Sequence, residues 1–246
     1  MLDFLQGYEA SILKGAWVTI EVALLSLVLA MIFGMFGAVA KMSSSRCARI
    51  VATTYTTIIR GIPDLVLMML IFFGGQVLLN NSLYSLNETL NSWFTTGYPD
   101  EYVQYLPDYI DVSPFIAGVL TLGFIFGAYM AETFRGAMLA VDRGELEAAK
   151  AYGMSPWQSF HRVMFPQMVR HALPGFGNNW LVLLKTTALV SIIGLEDMVR
   201  TGSLAAGSTK MPFTFYMTVA VIFLFFTSIS TFLLKILERK YAIVTR

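Results

Sequence analysis

The stretch GELEAAKAYGMSPWQSFHRVMFPQMVRHALP, residues 144–174, is the most informative part of this chain. It opens with strong helix formers, and Gly153 ends that first helix because glycine adopts the left-handed conformation of a C-cap without steric cost. Ser155 and Pro156 then begin a second helix, as its N-cap and its first helical residue. The second helix is amphipathic and is expected to end at Pro166. The pattern predicts two short helices that meet at an angle.

Five apolar stretches lie on the two sides of this segment. Hydrophobic residues make up 56% of the chain, charged residues only 13%, and the mean hydropathy is +0.64, whereas soluble proteins carry about 25% charged residues. A helix of roughly 20 apolar residues crosses a bilayer core. Unbroken apolar runs indicate helices and not the alternating strands of a membrane barrel. We therefore predict an all-α membrane protein with five transmembrane helices, at Ala16–Ala40, Gly61–Leu79, Pro114–Ala131, Ala172–Leu195 and Met211–Leu234.

The distribution of charge predicts how these helices are oriented. Residues 77–113 contain acidic residues but no Lys or Arg, whereas the connections on either side and the C-terminal end are rich in both. The positive-inside rule then places the N-terminus in the periplasm and the C-terminus in the cytoplasm. Residues 141–171 become a cytoplasmic loop and residues 80–113 an external loop, within a single domain spanning 1–246. The aromatic residues expected at the outer membrane interface are Trp93, Tyr98, Tyr102, Tyr105 and Tyr109.

The chain lacks the sequence motifs that several classes of protein function require. The chain has no G-x-x-x-x-G-K-[ST] stretch, so it lacks the loop that holds nucleotide phosphates. With one cysteine, and with both histidines in the cytoplasmic loop, we expect no metal site and no intramembrane protease. A secondary transporter or channel normally needs more helices or an inverted repeat within one chain. Five helices make half of a pathway, which predicts a partner membrane subunit.

The spacing of residues in the cytoplasmic loop resembles a known motif. Glu147-Ala148-Ala149 is followed after three residues by Gly153 and, after nine more residues, by Val163-x-Phe165-Pro166. This resembles the EAA loop of permease subunits of ATP-binding-cassette (ABC) importers, which prefer Ile and Leu where this chain has Val163 and Phe165, a conservative departure. The resemblance implies a type I ABC importer permease fold, whose loop forms coupling helices that enter a cleft of a separate ATPase. The residues implied in that contact are Glu147, Ala148, Ala149, Gly153, Met154, Ser155, Phe160 and Pro166.

The resemblance extends over nearly the whole chain and narrows the family to polar amino-acid importers. Residues 53–74, 127–155 and 173–198 are similar to the permease subunits that serve histidine, lysine, arginine and ornithine. This implies a permease of the bacterial inner membrane that binds no cofactor itself, while ATP and Mg²⁺ are bound by two copies of an ABC ATPase. The other implied partners are a similar second permease subunit, as a heterodimer, and a periplasmic amino-acid-binding protein, with no nucleic acid. Another polar amino acid or an opine is the alternative cargo.

Polar and charged residues near the end of the fourth helix are candidates for substrate binding. Glu196 and Asp197 follow a glycine that can loosen the helix, and transporters bind substrates at interrupted helices. Two carboxylates suit the guanidinium or ammonium group of a basic amino acid; alternatively, they are solvated residues at an outer helix end. Ser191 lies only approximately on the same side. Lys185 meets a substrate carboxylate, extends its ammonium group to the membrane interface or, as we favour, pairs with Glu21.

Two further charge pairs are expected to have structural or gating roles. Arg60 and Asp64 are four residues apart and pair if the helix continues, although Pro63 predicts a kink between them. We expect this pair to hold the start of the second helix against the partner subunit. Glu132 and Arg135 are three residues apart on one helical face and are expected to brace the third helix.

Overall fold

The structure, a computed structural model, describes residues 5–94 and 105–241, with only the backbone for Phe94. All regular elements in these two ranges are helical. The helices that are long and apolar enough to cross a membrane are Glu9–Met42, Asp64–Trp93, Pro114–Leu139, Pro156–Ile193 and Pro212–Lys240. The predicted all-α architecture with five membrane helices is confirmed, in the predicted order along the chain.

We number the α-helices in chain order. They are α1 (Glu9–Met42), α2 (Arg46–Gly61), α3 (Asp64–Met69), α4 (Gly75–Phe94), α5 (Pro114–Leu139), α6 (Arg143–Ala151), α7 (Pro156–Ser159), α8 (Phe165–Thr186), α9 (Met198–Thr209) and α10 (Pro212–Lys240). A π-helical turn, Leu70–Gly74, joins α3 to α4, and a second one, Phe160–Met164, joins α7 to α8. A 3-10 segment, Thr187–Ile193, continues α8.

The centre of the bundle is the contact between α1 and α5, the first and third membrane helices. A Cβ atom added to Gly34 would lie 2.4 Å from the Cβ of Met130, so the two backbones touch there. Earlier along both helices, the Ser26 hydroxyl of α1 donates to the Val119 carbonyl oxygen of α5 at 3.3 Å. The two helices therefore run in parallel. Small residues permit this approach, and close packing supplies the attraction that the hydrophobic effect cannot supply within a membrane.

The prediction that the second helix of the loop ends at Pro166 is wrong. Helix α7, the π-helical turn and α8 run on without interruption, so the 38 residues of Pro156–Ile193 form one helical segment. In the wide turn the Phe165 N–H donates to the Phe160 carbonyl oxygen, five residues back. The wider turn changes the hydrogen-bond register before Pro166. The proline ring therefore does not clash with the carbonyl group of the preceding turn, as it would in a regular α-helix.

The second membrane helix differs at both ends from the predicted range Gly61–Leu79. Helix α2 ends two residues before Pro63, which is the N-cap of α3, and the helix begins again at Asp64. At the other end α4 continues to Phe94, so residues 80–94 of the predicted external loop are helical. Hydropathy falls in this part because it is rich in Asn and Ser, but no proline or glycine after residue 75 interrupts the helix.

A row of amide side chains on α4 holds residues 106–112 of the external segment against the helix. The bonds join Asn87 to the N–H (2.9 Å) and carbonyl (3.1 Å) of Leu106, Asn80 to the Ile110 N–H (2.8 Å) and Gln76 to the Val112 N–H (3.0 Å). The amides satisfy backbone groups of a segment that forms no helix of its own. Of the aromatic residues expected at the interface, Tyr98 and Tyr102 lie outside the described residues, while Trp93 and Tyr109 are exposed.

Two membrane helices are left largely uncovered within this chain. Only 11% of the apolar window of Asp64–Trp93 and 6% of that of Pro212–Lys240 are buried, against 67% for Pro114–Leu139. Each carries many exposed large apolar side chains, so this apolar surface is suited to lipid or to another membrane subunit and not to water.

Candidate functional site

The corner between α6 and α7 is closed by two backbone hydrogen bonds. Gly153 has a φ of +77°. Its N–H donates to the Lys150 carbonyl oxygen at 2.9 Å, and the Met154 N–H donates to the Ala149 carbonyl oxygen at 3.1 Å. This pair of bonds is the Schellman motif, which satisfies carbonyl groups that a helix end leaves without donors. The prediction that Gly153 ends the first helix in the left-handed conformation is confirmed.

The helices on both sides of the corner have capped starts. The Ser155 hydroxyl accepts from the Gln158 N–H at 3.3 Å, and the Gln158 side chain accepts from the Ser155 N–H at 3.0 Å. These reciprocal bonds are a capping box, with Pro156 in the first turn as predicted. At the start of α6, the Asp142 carboxylate accepts from the Gly144 N–H at 2.8 Å. The corner is therefore a stiff unit, since each helix start has its cap.

The outer face of the corner carries large side chains that nothing in the described chain covers. Tyr152 is 87% exposed and Trp157 is 70% exposed. Tyr152 was not among the predicted coupling residues, although its position as the C-cap next to Gly153 places it at the apex of the corner. The predicted coupling residues fall into three groups: Glu147, Ala148, Gly153, Ser155 and Pro166 are exposed, Met154 and Phe160 are half-buried, and Ala149 is buried.

The corner is also tied to the membrane bundle. The Gln167 side chain of α8 donates to the Glu145 carboxylate of α6. Phe160 packs against the main apolar core and stacks on Trp157, with ring centroids 6.0 Å apart. Helix α7 continues into the fourth membrane helix, so no loop separates the corner from that helix.

The predicted bracing pair on the third membrane helix is confirmed and has an additional member. The Arg135 Nε lies 3.0 Å from the Glu132 carboxylate. Lys41, at the end of the first membrane helix, forms a second ion pair with the same carboxylate. The Lys41 side chain is only 9% exposed. No local spacing indicates this contact, because the two residues are far apart in the sequence.

Arg60 and Asp64 do not form the ion pair that continuous helical geometry would give. Within the described ranges, neither has an oppositely charged side chain at salt-bridge distance. Both instead contact Tyr129 of α5. The Arg60 guanidinium carbon lies 5.6 Å from the centroid of the Tyr129 ring, and the Asp64 carboxylate lies close to the Tyr129 side chain. The predicted kink at Pro63 separates the two charges, and Tyr129, which the sequence analysis missed, joins them.

The segment after the fourth membrane helix turns sharply and then begins α9. Gly194 has a φ of +101° and ends the 3-10 segment. Asp197 is the N-cap of α9: its carboxylate accepts from the Arg200 N–H at 2.8 Å. The Arg200 guanidinium donates to the Ser191 carbonyl oxygen at 3.5 Å. The structure thus brings Ser191 and Asp197 together through Arg200, a residue that the sequence analysis did not consider.

The two adjacent carboxylates of this turn have opposite environments. Glu196 is exposed, whereas Asp197 is 1% exposed. One oxygen of Asp197 has no hydrogen-bond partner among the described residues. Burial raises the pKa of Asp197 to about 6, against the lowering effect of its bonds to backbone N–H groups. Only Glu196 is therefore open to a ligand in this conformation, and Asp197 holds the turn from behind.

The favoured pairing of Lys185 with Glu21 is wrong. Lys185 is exposed and makes no ion pair within residues 5–94 and 105–241. Glu21 instead accepts from the indole N–H of Trp17, one turn earlier on α1, at 2.6 Å. A partner on its own helix is available to Glu21 without the ordering of a long lysine side chain.

Comparison with characterised proteins supports a membrane transport family. The chain is 49% identical over 239 residues to the histidine/lysine/arginine/ornithine transport system permease protein of Salmonella typhimurium, with 97% of this chain and 96% of the relative covered. It is 42% identical over 224 residues to the nopaline transport system permease protein of Agrobacterium fabrum, with 91% and 88% covered.

Solved structures show the same fold. A chain in the crystal structure of an amino acid ABC transporter with histidines superposes with a TM-score of 0.75 at 30% identity, covering 97% of both chains. A chain of the methionine ABC transporter MetNI, in an inward-facing conformation, superposes with a TM-score of 0.71 at 16% identity, covering 97% of this chain and 98% of the other, which bears on the fold alone. The family model described as "binding-protein-dependent transport system inner membrane component" matches residues 22–243. The chain belongs to this family, the permease subunits of ABC transporters.

Proposed function

We propose that this chain is the membrane subunit of an importer that carries basic amino acids, namely histidine, arginine, lysine and ornithine, across the bacterial inner membrane. The observation that carries the proposal is the 49% identity, over 97% of the chain, to a permease whose name gives these four substrates. The chain does not hydrolyse ATP itself, because it has no phosphate-binding motif. ATP and Mg²⁺ are held by a separate ATPase.

The corner at α6 and α7 is the contact with that ATPase. Its exposed face offers a carboxylate and two large rings, from Glu147, Tyr152 and Trp157. Its capped ends and the continuous Pro156–Ile193 segment support transmission of a rigid-body movement, which a flexible loop would absorb. Closure of two ATPase copies on ATP then moves the fourth membrane helix and changes which side of the membrane the path faces.

The charge distribution and the uncovered faces support the orientation and the other partners. Residues 141–171 and the C-terminus face the cytoplasm, and the N-terminus faces the periplasm, where a soluble amino-acid-binding protein delivers the substrate. A similar second permease subunit completes the path as a heterodimer. The weak burial of Asp64–Trp93 and Pro212–Lys240 leaves apolar surface available for that subunit and for lipid.

The substrate side chain binds at the turn after the fourth membrane helix. Glu196 supplies an exposed carboxylate for a guanidinium, ammonium or imidazolium group. Asp197 and Ser191 support this position through the α9 cap and the Arg200 contact. Lys185 is exposed and remains a candidate for the substrate carboxylate.

An opine cargo is the second candidate, favoured by the 42% identity to a nopaline permease. Opines keep a basic side chain and add further carboxylate groups, so Glu196 would be a suitable ligand for them as well. Competition of arginine uptake by nopaline or octopine separates the two candidates.

Uptake of radiolabelled arginine into proteoliposomes tests the proposal. The vesicles contain this chain with its second permease subunit and ATPase, and the binding protein is added outside with ATP inside. We expect uptake that needs ATP and that histidine, lysine and ornithine reduce. ATP-dependent uptake of a neutral amino acid, without competition by these four, would contradict the proposal.

Two sets of variants test the assigned residues in the same assay. Glu147→Arg combined with Gly153→Leu is expected to abolish uptake by breaking the ATPase contact, and intact uptake and assembly would refute the coupling assignment. Glu196→Gln is expected to raise the KM for arginine about tenfold, since it removes a charge-assisted hydrogen bond. An unchanged KM would remove Glu196 from the substrate site.

A further inference from the structure

Helix α4 continues past the outer end of the membrane bundle. The Gln76 side chain accepts from the Val112 N–H at 3.0 Å, and Val112 lies two residues before Pro114, the first residue of α5. Gln76 is therefore level with the outer end of α5. From Gln76 to Trp93 the helix runs on without interruption for about 25 Å. We call this part of the chain, residues 76–93 with residues 105–112, the arm.

Amide side chains make the arm an ordered structure of two layers. Asn80 bonds to the N–H and carbonyl groups of Ile110, and Asn87 bonds in the same way to Leu106. Asn87 is only 1% exposed, so the contact between the layers excludes water there. Apart from the π-helical turn that precedes it, no helix of the described chain packs extensively against α4. The outer surface of the arm is therefore open to a partner.

The charged groups of the arm are all acidic. Glu88, Asp108 and Asp111 are exposed, and none of them forms an ion pair within the described residues. Residues 77–113 contain no Lys or Arg, so no cation of the arm itself neutralises these carboxylates. A surface of one sign attracts partners of the opposite sign and steers their approach. The arm is therefore suited to a partner with a basic surface.

Two exposed aromatic side chains accompany the carboxylates. Trp93 and Tyr109 are largely exposed, and the membrane interface is the alternative place for such rings. The headgroups add only about 5–8 Å to each side of the hydrocarbon core. Trp93 lies about 25 Å along the helix from Gln76, at the level of the bundle's outer end, and so extends past the headgroups. Exposed Trp and Tyr outside the membrane are the residues that most often carry the energy of protein–protein binding.

The base of the arm and the candidate substrate turn meet at the same place. The Gln76 side chain is bonded to Val112, just before α5 begins. A Cβ atom added to Gly194 would lie 3.9 Å from the ring of Pro114, the first residue of α5. Glu196 follows Gly194 by two residues. A soluble protein held against the arm would therefore stand beside the turn that has to accept its cargo.

We propose that the arm is the docking surface on this chain for the soluble amino-acid-binding protein, the receptor, and that it contacts a basic patch beside the receptor's ligand cleft. This inference rests on the proposed import function and assigns the receptor contact to one element. Glu88, Asp108 and Asp111 raise the rate of encounter and orient the receptor. Trp93 adds contact area that does not depend on salt. In that orientation the cleft faces the turn at Glu196.

Binding of the fluorescently labelled, arginine-loaded receptor to the permease–ATPase complex in nanodiscs tests the assignment. The triple variant Glu88→Gln, Asp108→Asn and Asp111→Asn removes the three charges and keeps the shape of each side chain. We expect its Kd for the receptor to rise about tenfold at about 50 mM salt and only about twofold at about 500 mM, where screening already weakens the wild-type contact. Trp93→Ala is expected to raise the Kd about tenfold at both salt concentrations.

The controls separate this assignment from misfolding and from the proposed function. Glu9→Gln neutralises a carboxylate at the outer start of α1, outside the arm, and is expected to bind the receptor as the wild type does. ATP hydrolysis without receptor, equal in all variants, shows that the complexes are assembled.

Wild-type receptor affinity in both the triple variant and Trp93→Ala, or equal weakening by Glu9→Gln, overturns the docking assignment, while arginine uptake by the wild-type complex upholds the import proposal. If Trp93→Ala lowered the melting temperature of the complex without changing the Kd, Trp93 would belong to the membrane interface and its docking role would be wrong. A wild-type complex that neither binds the receptor nor imports arginine refutes both proposals.

Discussion

The start and the end of the fourth membrane helix differ in how completely their polar groups are held. At the start, the Schellman motif at Gly153 and the capping box at Ser155 satisfy the groups that helix ends expose. At the end, the chain narrows to a 3-10 segment, turns at Gly194 with a φ of +101°, and buries an Asp197 oxygen that has no partner among the described residues. The helical segment Pro156–Ile193 thus begins at a rigid corner and ends at a turn whose backbone can change conformation more easily.

This difference matches the two tasks of a driven transporter. A force that arrives from a separate ATPase is transmitted only by a segment with a single stable arrangement. A site that must bind and then release its cargo requires backbone that can change at small cost, and such backbone is found among elements of low local stability. Variants at the two ends can show whether transport needs both a rigid start and an adaptable end of the fourth membrane helix.

The largest effect on transport is expected from a lower helix stability in the π-helical turn at the start of the fourth membrane helix. His161→Gly with Arg162→Gly changes two exposed residues of the π-helical turn and weakens the helix by about 2 kcal/mol in total. We expect arginine uptake to fall about tenfold while ATP hydrolysis continues, because movement of the ATPase is no longer delivered. The matched control, His161→Ala with Arg162→Ala, removes the same side chains and keeps the helix. Equal uptake by the two double variants would show that firmness is unnecessary.

Gly153 and Gly194 allow the same backbone change at the two ends. Both have positive φ, a Cβ at Gly153 meets nothing within 4 Å, and one at Gly194 meets only Pro114 at 3.9 Å. Alanine at either position is therefore expected to cost about 1–2 kcal/mol through the backbone alone. Thermal melting of the complex measures that cost. We expect Gly153→Ala to reduce coupling of ATP hydrolysis to uptake, and Gly194→Ala to change the KM for arginine instead. Gly153→Asn is the control, since asparagine tolerates this conformation.

The buried carboxylate at the adaptable end gives a prediction in pH. The pKa of Asp197 is about 6 in the folded protein against 3.8 for the free group, so the folded state retains its proton to higher pH. The stability that this group contributes is therefore complete below pH 3.8 and is lost as pH rises through about 6. Asp197→Asn keeps an N-cap but cannot ionise, so the melting temperature of the complex should depend less on pH between 4 and 6.

Asp197→Ala is the matched variant for that measurement. It removes the ionisation and also the cap, which costs about 1 kcal/mol. At pH 7.5 we expect the asparagine variant to melt at or above the wild type and the alanine variant to melt below the asparagine variant. A wild-type melting curve with the same pH dependence as that of Asp197→Asn would show that the buried oxygen has a partner in the assembled complex.

The same contrast explains what could be predicted from sequence. The caps of the corner depend on residues within five positions of one another, so Gly153, Ser155 and Pro156 were predicted correctly. The five membrane helices follow from hydropathy alone. The extension of α4 to Phe94 could not be predicted from hydropathy, because hydropathy measures only how well a segment partitions into lipid. Whether a helix continues depends on its backbone hydrogen bonds and on side-chain amides. The helix break expected at Pro166 failed because proline rules assume an α-helical register, which the π-helical turn changes.

Contacts between distant parts of the chain account for the site residues that were missed. Tyr129 joins Arg60 to Asp64, and Lys41 reaches Glu132, across distances in sequence that no spacing rule covers. The burial of Asp197 next to an exposed neighbour is likewise a tertiary property. A motif indicates which residues act together locally, and packing decides which of them a ligand can reach.

The smallest effect on stability is expected at the ion pairs that Glu132 forms with Lys41 and Arg135. The Arg135 side chain is 39% exposed and pairs with Glu132 across one helical turn, so Arg135→Gln should cost at most about 0.5 kcal/mol. Lys41→Gln is the informative comparison, because Lys41 is nearly buried and joins two membrane helices. Its loss leaves a partly buried carboxylate with one partner and should lower the melting temperature of the complex more than Arg135→Gln does. If the two variants melted alike, the stiffness of this end would come from helix packing and not from its charges.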